Sequence, residues 1–82
     1  MPPAANAITR LLRIAKELRK RGRTIAGRVL EIYVDHDVCD YTCRKILPRI
    51  GLELGNPMVT FVSTETGQRR TMWNGEWDKD WR

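Results

Sequence analysis

No apolar run in this 82-residue sequence approaches the roughly 18 residues that a membrane-spanning helix needs. The opening Met1-Pro2-Pro3-Ala4-Ala5-Asn6-Ala7 leads into no uninterrupted apolar stretch, so no secretory signal is expected and a soluble, cytoplasmic-type product is. There is no internal repeat, low-complexity tract or linker. Histidine occurs once, as His36, and no acidic residue precedes Glu17. Cysteine occurs only as Cys39 and Cys43, too few for a disulfide framework. Thiols this close in a cytosolic chain read as metal-binding or redox groups, the alternative being two reduced, partly buried side chains.

What is present is an ordinary globular composition, 41% hydrophobic and 30% charged, which argues against a wholly disordered chain. A single domain over 1–82 is expected. A domain of this size buries only about 60% of the surface of its unfolded chain, so its stability is marginal without a staple or a partner. The formal charge of +5 is concentrated at one end. Residues 1–28 hold Arg10, Arg13, Lys16, Arg19, Lys20, Arg21, Arg23 and Arg28 against Glu17 alone, and the remainder is slightly acidic. That asymmetry favours a polyanion or an acidic surface as partner.

From Ala7 to about Lys20, residues Ile8, Leu11, Leu12, Ala15 and Leu18 follow helical spacing. This is a basic amphipathic helix over 7–21, with Asn6 as N-cap and Gly22 at its stop. The run Arg28-Val29-Leu30-Glu31-Ile32-Tyr33-Val34-Asp35 shows little strict alternation and predicts a strand covered on both faces, as in a parallel sheet. Tyr41 to Ile50 predicts a second helix, broken or kinked near Pro48, with a connection over 51–57. Met58 to Ser63 is a strand, Glu65-Thr66-Gly67 a turn, Gln68 to Met72 a return strand and Asn74-Gly75 another turn. Residues 78–82 are expected to form a loosely ordered tail. The order helix-strand-helix-strand-strand is an α/β layer whose first two strands are parallel across a helical crossover.

The candidate chemistry lies where the first strand runs through Asp35-His36-Asp37-Val38-Cys39 towards Cys43 and the second helix. Strand ends opening onto helix N-termini are where α/β proteins place ligands, and the free N–H groups there lower thiol pKa values. The cysteine pair, the Leu47-Pro48 and Leu54-Gly55-Asn56-Pro57 contexts, Arg70-Thr71-Met72 and Asn74-Gly75-Glu76-Trp77 together resemble the C-terminal half of bacterial toxin deaminases. These belong to the cytidine-deaminase-like superfamily, whose members include toxins acting on cytosine in DNA. The resemblance covers 28–77 and implies a partial deaminase-like layer with Cys39 and Cys43 as ligands of Zn2+. In that family an upstream His-x-Glu supplies the third ligand and the proton shuttle, while zinc-bound hydroxide attacks the ring carbon bearing the amine.

Two departures bear on that implication. Three residues separate the cysteines where the family usually has two, and no His-x-Glu occurs in the chain. No catalytic residue is therefore assigned, and the chain by itself is expected to be inactive, as a truncated, split or excised part of a toxin domain. Its setting is then cytoplasmic, or that of a secreted toxin's cargo. His36 reads as a solvated residue between two aspartates rather than a substitute ligand. Asp35 and Asp37 read as turn and capping residues.

The rival reading is a small basic module with structural cysteines, binding DNA, RNA or an acidic protein through Arg10, Arg13, Lys16, Lys20, Arg21 and Arg23. Trp73, Trp77 and Trp81 recur every four residues; packing of the tail onto the sheet is expected over a base-stacking platform. The deaminase fold places a hairpin beside the Val29–Val34 strand, and no such hairpin precedes it here. Its unpaired edge predicts a homo-oligomer, or a partner chain that supplies the missing strands.

Overall fold

The described residues of the chain form two α-helices and a four-stranded mixed sheet. The computed structural model describes residues 7–39 and 42–81, leaving aside the side chains of Thr42 and Asp80. Asn6 as N-cap, Tyr41 as the start of the second helix and Arg82 at the end of the tail lie outside the described residues.

Helix α1 (Ala7–Lys20) buries Ala7 and Leu11 and packs Ile8, Ile14, Ala15 and Leu18 against the core. Leu12, expected on that face, is 46% exposed. A stripe centred on Leu11 and Leu18 takes in Ile14, whereas Leu12 sits 100° round the helix from Leu11. The helix ends in a Schellman arrangement: Arg23 N–H donates to the Leu18 carbonyl at 2.9 Å and Gly22 N–H to that of Arg19 at 3.0 Å.

Strand β1 (Val29–Val34) pairs in parallel with β2 (Met58–Ser63), and helix α2 (Thr42–Glu53) makes the crossover. Strand β3 (Arg69–Trp73) returns antiparallel to β2, and β4 (Glu76–Trp77) pairs antiparallel with β3. Asn74 and Gly75, both at positive φ of 57° and 81°, make the two-residue turn between β3 and β4. Sequence had marked that turn but not the short strand after it.

The helices cover one face of the sheet only. Ile32, Val34, Val59, Phe61, Met72 and Trp77 are buried there with Leu11 and Leu47. On the opposite face Val29, Tyr33, Met58 and Trp73 are exposed. The expectation that β1 is covered on both sides is corrected: from Glu31 to Val34 exposed and buried residues alternate strictly.

Helix α2 continues through the predicted kink to Glu53, with Pro48 inside it. Proline has no N–H for the carbonyl four residues earlier, here that of Arg44. The Trp77 indole supplies the donor instead, Nε1–H to Arg44 O at 2.7 Å. This bond lets the helix carry the proline and ties it to the end of the sheet. After α2, Gly55 at φ 94° stacks so closely that a Cβ there would lie 2.3 Å from that of Ala26.

The expected loose tail contains a 3-10 turn, Lys79–Trp81. Trp77 packs on Phe61 at 6.2 Å and edge-on to Trp81 at 4.6 Å between centroids. The Trp81 carbonyl accepts from Arg44 Nη2 at 2.8 Å. Trp77 and Trp81 thus pack back onto the sheet, while Trp73 points to its open face.

Candidate functional site

The two cysteines flank the entry to α2. Cys39 is exposed, and Cys43 is buried in the helix's first turn. The Arg44 N–H closes the loop onto the Cys39 carbonyl at 3.1 Å. Fold and loop together set Cys39 close enough to Cys43 for the first thiol to bear on the titration of the second. The expected lowering of thiol pKa by the helix start does not hold for Cys43. Burial pushes its thiol up, and the neighbouring Cys39 adds to the shift by disfavouring a second negative charge.

His36 turns towards the β2–β3 turn, where Nδ1 lies 2.8 Å from Glu65 Oε2, both side chains being well exposed. Asp37 goes the same way and accepts from Thr66 Oγ1 at 2.5 Å. Bonds from Thr66 and then Ser63 hold its carboxyl below the usual carboxylate range. Thr64 N–H donates to the Val34 carbonyl at 2.8 Å, so the whole exit of β1 is bound to this turn. Asp37 therefore acts as a loop fastener, in line with its reading as a turn residue.

Among the described residues no three His, Cys, Asp or Glu side chains converge to hold a metal ion. A tetrahedral zinc site takes four ligands, three from protein in catalytic sites. Cys39 and Cys43 offer two, one of them biased by burial against the thiolate form that zinc needs. The donors described here do not fit a complete zinc site.

Beside Cys39 lies a cleft of about 470 Å³ lined by Asp37, Val38, Cys39, Gln68, Arg70 and Trp81. The Arg70 and Arg44 guanidinium carbons sit 5.0 Å and 5.1 Å from the Trp81 ring centroid. Arg70 Nε is buried without a hydrogen-bond partner. The cleft opens at the C-terminal end of β1, where α/β sheets bind ligands. Gln68 carried no sequence signal, Arg70 entered only through the Arg70-Thr71-Met72 resemblance and Trp81 only through the tryptophan spacing, because β3 and the terminal turn reach Cys39 only through the fold.

Of the basic residues proposed for phosphate contact, Arg13, Lys16, Lys20, Arg21 and Arg23 are exposed. Arg10 is half-buried, with a buried Nε that lacks a partner. Arg13, Lys16 and Lys20 border a shallow depression on α1 that also exposes Leu12.

Fold and site define a class: a small two-layer α/β domain with a thiol pair and a tryptophan–arginine stack where its parallel strand pair ends. No family model matches the chain, and neither a curated protein nor a solved structure matches it. No helix among the described residues is long and apolar enough to cross a membrane.

Proposed function

We propose that this chain is the thiol-bearing half of a cytidine-deaminase-like toxin domain, whose intact relatives act on a cytosine-type base in nucleic acid. The observation that carries the reading is the pair of neighbouring thiols between β1 and α2, at the end of a parallel β1–α2–β2 unit. Alone, the chain has no His-x-Glu, and so lacks the family's proton shuttle, and among the described residues no third donor joins the two thiols. Zn2+ held jointly with donors from another molecule belongs to the same proposal.

Metal content and turnover test it together. Zinc retained through gel filtration by the native chain, and lost from a Cys39→Ala, Cys43→Ala variant that keeps its fold, supports the reading. Cytosine or cytidine deamination by the purified chain, abolished by Cys43→Ala, would contradict its inactivity. Metal-free protein under zinc-replete conditions would remove the thiols from any ligand role.

A second reading has its own support: the exposed basic residues Arg13, Lys16, Lys20, Arg21 and Arg23 along α1 and the turn that follows it. Here the chain binds the backbone of DNA or RNA. An Arg13→Glu, Lys20→Glu variant should then weaken binding and flatten the slope of log affinity against log salt by roughly one unit per lost phosphate contact. An unchanged slope would make this a solvated helix face.

A further inference from the structure

We infer that the free edge of β1 is a pairing surface for a second copy of this chain, joined antiparallel about a two-fold axis at Ile32. The inference rests on the strand itself and stands apart from the deaminase reading.

The outer edge of β1 is set by its pairing with β2. The Arg28 and Val34 carbonyls both accept from the β2 side, from Met58 and Thr64 N–H, each at 2.8 Å. A parallel ladder alternates, so Leu30 and Ile32 also direct their backbone groups to β2, and Val29, Glu31 and Tyr33 direct theirs outward. Among the described residues these outward groups have no backbone partner. β1 ends the sheet on this side, while the opposite edge, β4, is only two residues long. Short strands, prolines and lysines blunt natural edges, and β1 has six residues with neither proline nor lysine.

The sequence of β1 selects both the occupant and the register. Keeping both helical layers on one side of a joined sheet requires open-face residues to meet open-face residues. Centring on Glu31 sets two carboxylates directly opposite, and centring on Tyr33 sets Glu31 against Asp35; both are like-charge pairs that destabilise a sheet. Centring on Ile32 places Glu31 opposite Tyr33 of the second copy. The same carboxylate–phenol pairing already exists within the chain, where Tyr33 Oη donates to Glu31 at 2.5 Å. The strand is complementary to itself in this register, and a two-fold axis uses that complementarity twice.

Each chain carries a formal +5, so the two copies repel and added salt should strengthen the pair. Phosphate binding by the basic helix would weaken with salt, which separates the two activities.

Sedimentation velocity on the native chain, with amide hydrogen exchange read residue by residue, tests the proposal. A dimer at micromolar concentration is expected, with Glu31 and Tyr33 amides protected only where the dimer is populated and the Ile32 amide protected throughout. Tyr33→Pro removes an outward N–H and leaves the β2 ladder intact, and should give a folded monomer. If that variant does not fold, exchange on the native chain decides the matter. In a Cys39→Ser, Cys43→Ala background, Ile32→Cys should cross-link across the axis and Glu31→Cys should not. A native chain that stays monomeric at its highest soluble concentration would overturn the inference. So would a dimer with unprotected Glu31 and Tyr33 amides, or preferential cross-linking through Glu31→Cys.

Discussion

The two faces of the sheet have similar raw material and opposite surroundings. The covered face sets Phe61, Val59, Met72 and Trp77 under two helices, and Phe61 and Val59 are wholly buried. The open face also carries apolar side chains; Val62 is buried there at 8% exposure, but Val29, Tyr33, Met58 and Trp73 are exposed. Between them lie a threonine pair, Thr60–Thr71 at 2.7 Å, and Glu31 held by Tyr33 and by Arg69 at 2.6 Å. Hydrophobicity alone does not determine which side of a strand becomes core. What matters is whether another element arrives to cover it, and here both helices arrive on the same side.

The largest test of this contrast is Phe61→Ala. Removing a buried phenylalanine costs about 3–5 kcal/mol, comparable to the whole stability of a domain this small. The variant should be largely unfolded by circular dichroism at room temperature. A cooperative melt close to that of the native chain would mean the core lies elsewhere.

Trp77→Phe keeps a ring on the covered face but removes the donor to the Arg44 carbonyl. A loss of about 1–3 kcal/mol is expected in denaturant unfolding. Combined with Pro48→Ala, whose restored N–H can take that carbonyl, the same substitution should cost less. Additive losses would show that the indole bond does not substitute for the missing helical donor.

Acid should act on the open face and the loop after β1. Glu31 is held below the usual carboxylate range by its bond from Tyr33 and then by Arg69, and Asp37 by Thr66 and Ser63. Folded-state pKa values lower than unfolded ones contribute stability above the ordinary carboxylate range, and that stability is lost as pH falls through the folded values. Both groups are exposed and screened, so the effect is modest. A Glu31→Gln, Asp37→Asn variant should lose less stability on acidification than the native chain, as thermal melts across that range would record.

Val29→Ser should change least, within about 0.5 kcal/mol under conditions where the chain is monomeric, because Val29 is 78% exposed. A larger loss there would mean that something covers this corner of the open face.

The sequence by itself determined the elements whose causes are local. Helical spacing and a basic last turn define α1, β-branched runs define β1 and β2, and Asn74-Gly75 defines a turn that only residues tolerant of positive φ make easily. It also determined the parallel crossover between β1 and β2 and the closeness of the two cysteines. Tertiary structure decided what depends on neighbours distant in sequence. Val29-Leu30-Glu31-Ile32-Tyr33-Val34 is apolar enough for either kind of strand, so its open face followed from where the helices packed. Pro48 marks a break in any local reading, and it stays helical because Trp77, from another part of the chain, supplies a donor. The pKa of Cys43 turned on the same distinction. A helix start favours thiolate, but burial in this core opposes it, and burial is a property of the folded whole.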